Sequence, residues 1–289
     1  MLTTRKRGIM LLYGLQMGAV LIGRSFKEGI RDYLKLAEIL ELKTIELDFS
    51  HPELCFDGLK PRMYLTELSD SHKKRLVRDF AQNFEVKGAH LPFASMGVYS
   101  AVSDEKVEEA SRKLIKFGIE CAAEIDLDFV TIHLDSKNLN SEEEKWRKLK
   151  EAAEEYLDVA KQYNIVLALE NTFNDFMKIP QLIRELKNSL AKMTLDTGHA
   201  YLTLKREFHK KITQYIEDNR DIIYNMHIHD STMKRDHLMI GRGEIDFKPI
   251  IKILKKTDKR YTLNLESEPS SPQKAIEETI ESIVLLKQF

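Results

Sequence analysis

Short β-rich apolar runs recur along the chain, separated by stretches in which apolar residues fall at helical spacing. The runs are GAVLIG (18–23), KTIELDF (43–49), EVKGAHL (85–91) and DFVTIHL (128–134). NIVLALE (164–170), AKMTLD (191–196), IIYNMHIHD (222–230) and YTLNLES (261–267) follow. Between them Val107, Leu114, Ile115, Ile119 and Ala122 recur at helix-compatible intervals, as do Trp146, Leu149, Ala153, Tyr156, Leu157 and Ala160. Alternating strands and helices imply a parallel sheet with right-handed crossovers. Eight such units in 289 residues predict closure into an α/β single (β/α)8 TIM barrel, with a last helix from about Pro272 to Leu286 completing the ring. An open doubly wound sheet would usually carry a glycine-rich phosphate loop after its first strand, and GRSFKEG (23–29) lacks that spacing.

No linker or composition shift divides the chain, so residues 1–289 read as one domain. The first strand is expected at about residues 17–23, with 1–16 as a candidate N-terminal extension. Arg5, Lys6 and Arg7 before an apolar stretch give that extension the look of a secretory signal. Gly14, Gln16 and Gly18 interrupt it, no small-x-small cleavage site follows, and it is too short to span a bilayer, so no membrane partner is expected.

A net charge of -1 gives no support for non-specific attraction to nucleic acid or acidic lipid. Cys55 and Cys121 lie far apart and suit a reducing, cytoplasmic setting better than a disulfide framework. The oligomeric state is left open.

Barrel enzymes place their chemistry where strands end. His90, His133, Glu170 and Asp196 fall at or beside the ends of the third to sixth runs, with His199 three residues beyond Asp196. His227, His229 and Asp230 crowd the seventh, and Glu266 lies near the end of the eighth. Strand alternation puts Val166, Ala168 and Glu170 on one face, and Thr262, Asn264 and Glu266 likewise, which supports an inward aim. Any one of these residues is unremarkable, since a single strand-end histidine is commonly a hydrogen-bonded structural group. Their repetition at one level changes the reading. Carboxylates crowded there would repel one another unless a cation offset their charge. Imidazole with carboxylate suits Zn, Mn, Fe or Co better than Ca. His51 could line the same pocket, whereas His72 and His209 sit in charged helical stretches.

At these residues the sequence resembles the xylose-isomerase-like barrel superfamily, which includes sugar isomerases, ketose 3-epimerases and the endonuclease IV family. The matching strings are GAHLPF (88–93), TIHLD (131–135), LALENT (167–172), LDTGHA (195–200), MHIHDS (226–231), HLMIGRGEIDF (237–247) and LNLESE (263–268). The resemblance implies a metal site of Glu170, Asp196, His227 and Glu266 holding Mn, Zn or Co. It makes Glu170 and Glu266 the catalytic acid–base pair of a divalent-metal-dependent sugar or sugar-phosphate isomerase or epimerase, working through an enediolate. His199 then matches a substrate-contacting position. Where the epimerase pattern has an arginine the chain has Met233, so Arg235 is the nearest substitute, with Arg242 and His229 as further substrate-binding candidates.

The rival implication is an endonuclease IV-type zinc enzyme cleaving DNA at abasic sites, the only reading with a DNA partner. For it His90 and His133 match two additional ligands, and His199 and His237 match two ligands of a third metal. The remaining ligand should be an Asp where this chain has Arg235, and Asp236 stands beside that slot in the wrong register. The glycine-rich continuation after ENT is replaced by Phe173, Asn174, Asp175 and Phe176. A non-catalytic barrel that binds metal or sugar is a third class, against which the intact Glu170 and Glu266 pair argues.

Overall fold

In nearly every barrel strand one alternate row is aliphatic and the other is not, and this difference assigns each row to a side of the sheet. The computed structural model describes residues 11–16, 26–49, 71–172 and 176–289. The strands are β1 Leu11–Gln16, β2 Thr44–Asp48, β3 Val86–His90, β4 Ala101–Val102, β5 Phe129–Ile132 and β6 Ser136–Lys137. They continue as β7 Val166–Glu170, β8 Ala191–Asp196, β9 Ile223–Ile228, β10 Asp230–Thr232, β11 Arg235–Leu238 and β12 Tyr261–Leu265. Eight of them close into a parallel barrel in the order β1-β12-β9-β8-β7-β5-β3-β2. This is an α/β TIM barrel. The other four form two small two-stranded sheets, β4 with β6 and β10 with β11.

The outward rows build the hydrophobic core. Ile45, Leu47, Val130, Ile132, Leu167, Leu169, Met193, Leu195, Met226, Ile228, Leu263 and Leu265 are all buried and cluster with the inner faces of the helices. The inward rows differ in kind. Thr131 and Thr194 hydroxyls lie 2.9 Å apart across the lumen. The Thr262 hydroxyl donates to Asn225 Oδ1 at 2.7 Å, and Asn264 Nδ2 donates to the same oxygen at 3.0 Å. Thr194, Asn225 and Asn264 sit two residues before Asp196, His227 and Glu266 on their strands, and Thr131 two before His133, forming a polar layer beneath the strand ends.

The connecting helices carry their own boundary signals. Asp104 caps Glu105–Glu124 by accepting from the amides of Lys106 and Val107. Ser141 caps Glu142–Tyr163, which ends at Asn164 in the left-handed conformation, φ 54°, before β7 begins. The last helix runs Ala275–Gln288 after a 3-10 turn at Pro272–Lys274. Among the described residues, no helix is long and apolar enough to cross a membrane.

The first strand departs from expectation. β1 lies at Leu11–Gln16, inside the segment read as an extension, and pairs with both β12 and β2. The expected strand at 17–23 falls outside the described residues. The sequence misleads because Ile9 to Gly23 is apolar at nearly every position, so no alternation marks where pairing begins. What anchors β1 is tertiary: the buried Tyr33 hydroxyl donates to Leu15 O at 2.9 Å and accepts from Leu15 N at 3.0 Å. Gly14 is needed because a Cβ there would lie 2.2 Å from Thr44 O on β2.

Candidate metal centre

The ends of β3, β7, β8 and β9, with the residues just beyond β5 and β12, bring six ionisable side chains to one buried point. Glu170 Oε2 lies 3.0 Å from His133 Nε2, 3.1 Å from His90 Nε2 and 3.3 Å from His227 Nδ1. His227 Nδ1 stands 2.8 Å from Glu266 Oε2 and 3.9 Å from Asp196 Oδ2. Glu170, Asp196, His227 and Glu266 form one group whose potential ligand atoms all lie within 4.8 Å of one another, and His90, Glu170 and His227 form another.

The donor set fits a divalent transition ion. Glu170 Oε1, His227 Nδ1 and Glu266 Oε2 are buried without a hydrogen-bond partner. Buried polar atoms are normally satisfied. His227 Nδ1 and Glu266 Oε2 approach closely without hydrogen-bond alignment, as two ligands aimed at a common point would. Imidazole nitrogens with carboxylate oxygens match Zn, Mn, Fe or Co.

In the metal-free chain, protons on the histidines offset the carboxylate charges. Burial works against ionisation of Glu170, yet the imidazoles of His227 and His133 hold its carboxyl well below the usual range. Desolvation also disfavours the charge on Glu266, yet His227 depresses its carboxyl. Burial likewise disfavours the charged form of His199, but Asp196 and Glu170 push that ring up to about 9. His227 and His133 are raised well above the ordinary histidine value against the same desolvation, His227 chiefly by Glu266 and Glu46, His133 by Glu170 and Asp135.

The local sequence explains how the groups are held. Asn171, directly after Glu170, accepts from Asp196 N at 2.8 Å and donates to Asp196 O at 3.0 Å, locking the ends of β7 and β8 together. Asp196 also caps helix Thr197–Leu204, accepting from His199 N. The Thr197 hydroxyl donates to His227 O at 3.1 Å. Gly198 admits the His229 ring, since a Cβ there would lie 1.9 Å from His229 Cε1.

His229 is placed differently from the substrate-binding role expected of it. It is fully buried, its Nε2 donates to Asp196 Oδ2 at 2.9 Å, and its Nδ1 accepts from His237 N at 2.9 Å. Although His229, His237 and Glu266 lie within ligand distance of one another, both His229 nitrogens are committed, so we read it as a prop for Asp196. The sequence hides this because the tight turn after β9 sends His229 beneath the carboxylate.

His199, Asp236 and His237 form a further group within the same ligand distance. Asp236 thus lies beside His199 and His237 although it stands one residue, not two, before His237. His237 has a left-handed backbone, φ 51°, which breaks strand alternation and lets neighbouring residues of β11 face one way. Arg235 points to solvent instead, 62% exposed and 4.0 Å from Glu268. Arg242 is 64% exposed and 3.5 Å from Glu281 on the last helix. Neither arginine joins the buried cluster; both stand exposed on the loop beyond β9. The loop between them is instead organised by Asp230, whose carboxylate accepts from the amides of Gly241, Gly243 and Ile245. His51 lies outside the described residues.

Glu46 on β2 was missed. Its signal was an acid in the middle of the apolar run KTIELDF, on the row that alternation turns inward.

The sequence model for the xylose isomerase-like TIM barrel matches residues 34–288. The chain is 25% identical over 285 residues to the uncharacterized protein MJ1311 of Methanocaldococcus jannaschii, covering 91% of this chain and 89% of its relative. Among solved structures, D-allulose 3-epimerase from Methylomonas sp. in complex with D-allulose superposes with a TM-score of 0.71 at 17% identity, covering 96% of each chain. The IOLI protein with a binding zinc atom gives 0.69 at 16% identity, covering 96% of this chain and 99% of that one. At these identities the structural likeness is one of fold.

Proposed function

This chain belongs to the xylose isomerase-like TIM barrel family, and on that premise we propose that it is a divalent-metal-dependent isomerase or epimerase of a small sugar or sugar phosphate. The observation that carries the reading is the pair Glu170 and Glu266, which approach His227 from opposite sides of β9 at 3.3 and 2.8 Å. Glu170, Asp196, His227 and Glu266 would hold the ion, which supplies withdrawal of charge from a carbonyl oxygen and so acidifies the neighbouring C–H. The two glutamates then divide the proton work. Gln16 Nε2 donates to Glu266 Oε1 at 2.8 Å and fixes that carboxylate, leaving Oε2 turned toward the cluster. Glu266 is also the more accessible of the two, with 14% of its side chain exposed against 1% for Glu170. We assign Glu266 the proton exchange at the substrate carbon and Glu170 the same role on the other side of the site. A sugar ligand in the allulose epimerase neighbour supports the substrate class.

The test is deuterium uptake from solvent into a panel of ketoses and aldoses by metal-loaded protein. Uptake is expected for at least one sugar, falling about 10²–10⁴-fold in Glu266→Gln.

A second reading, an endonuclease IV-type enzyme acting at abasic sites, is favoured by one observation, the convergence of His199, Asp236 and His237. It requires three metals per chain and an incision activity that falls steeply with salt as counterions are released. Salt-sensitive incision of an abasic duplex, with no exchange into any sugar, would reverse the ranking.

A further inference from the structure

Glu46 is a fully buried carboxylate that neither the strand-end pattern nor the proton transfer above uses. Its Oε2 lies 2.8 Å from Nε2 of His227, the ring nitrogen that does not face the cluster. The same oxygen accepts from Asn225 Nδ2 at 2.9 Å and from Asn264 Nδ2 at 3.4 Å. The Asn225 amide is oriented independently, because its Oδ1 accepts from the Thr262 hydroxyl. An oxygen approached by two amide N–H groups is set up as an acceptor. Glu46 Oε2 is therefore the acceptor and His227 Nε2 the donor.

We propose that Glu46 is a positioning residue of the metal centre: its carboxylate accepts the Nε2 proton of His227 and commits Nδ1, with its lone pair, to the metal. The inference rests on the metal reading given above. Two features set His227 apart from the other histidines of the cluster. The outer nitrogens of His90 and His237 meet backbone oxygens of Leu91 and Glu266, which are neutral and present whatever the side chain, and Nδ1 of His199 meets Asn171 O but also lies 3.3 Å from Glu170 of the ligand set. His133 meets a carboxylate, but at 3.6 Å from Asp135. Among the described histidines of the cluster, His227 alone pairs at hydrogen-bond distance with a fully buried carboxylate that lies outside the proposed ligand set. Burying a lone negative charge is costly unless it is compensated. An imidazole with a dication on its opposite nitrogen provides that compensation and gains basicity in return.

Zinc titration in competition with a chromophoric chelator, together with isotope-labelled histidine spectra of the zinc-loaded protein, tests the proposal. In wild type the His227 ring should show a protonated Nε2 and a metal-shifted Nδ1. Glu46→Gln should weaken zinc binding about 10–100-fold and shift the Nε2 proton resonance of His227. Equal zinc affinity in Glu46→Gln would overturn the role of Glu46 while leaving the metal reading intact. If that variant does not fold, the wild-type spectrum decides: a proton on Nδ1, or zinc on Nε2, overturns the proposal. Wild-type protein that takes up no divalent metal overturns the metal reading and this inference with it.

Discussion

The two faces of the same β-strands are buried almost equally and built from opposite materials. Outward residues such as Ile45, Leu167, Met193, Met226 and Leu263 are aliphatic or thioether, and at most 1% exposed. Inward residues such as Glu46, Thr131, Thr194, Asn225, His227 and Asn264 are polar or charged, and fully buried. TIM barrels commonly fill the lumen with branched aliphatic side chains. The upper lumen here is a hydrogen-bonded layer supporting a charged cluster. Burial therefore says little about what a residue does in this molecule. The outer face contributes cohesion, whereas the inner face holds charges that only mutual pairing or a cation makes tolerable.

The largest expected effect separates the two faces by energy. Leu167→Ala should cost about 2–5 kcal/mol, measured by denaturant unfolding, with metal per folded chain unchanged by elemental analysis. A drop in metal content at equal folded fraction would erase the distinction.

The inner face should respond to metal instead. At a free metal concentration of 100 times Kd, loading should stabilise the protein by about 2.7 kcal/mol, and a chelator should remove that gain. In Glu170→Gln the response should vanish along with the bound metal. An unchanged response would remove Glu170 from the ligand set.

pH sharpens the same contrast. His199 moves from 6.5 to about 9 on folding without metal. A raised histidine contributes stability that is complete below its unfolded value and lost as pH rises through the folded one. Metal-free protein should therefore weaken from pH 6.5 toward about 9, with His227 and His133 acting in the same direction. Metal must displace these protons, so its affinity should rise over that interval. Thermal melts with and without chelator should diverge as pH increases, and a metal-free protein that gains stability across the window would contradict the charge assignments. The smallest effect belongs to the surface: Arg242→Ala should change stability by no more than about 0.5 kcal/mol and leave metal content untouched, by the same melts and elemental analysis.

What the sequence revealed follows from periodicity. Glu170, Asp196 and His227 were legible because apolar runs of even spacing deliver a polar residue to the same level of successive strands. β1 was not, because a run without alternation carries no register. The approach of Asp236 to His199 is hidden because the positive φ of His237 is a backbone event that a non-glycine residue does not advertise. The exposure of Arg235 and Arg242 is not legible from their place in a loop, because a long flexible cation reaches water at little cost. Glu46 and His229 act through other side chains, and such pairings appear only when strands far apart in the chain are assembled.

The bond between Gln16 and Glu266 spans 250 positions and crosses the seam where β1 meets β12. During synthesis Gln16 precedes Glu266 by 250 positions, and Glu46 waits 181 positions for His227. An unfinished chain can gather Glu170 beside Asp196, but it lacks the last carboxylate and the strand that closes the ring. Loops this long close late in folding. Assembly of the cluster is thereby deferred until both partners of each distant pair have been made.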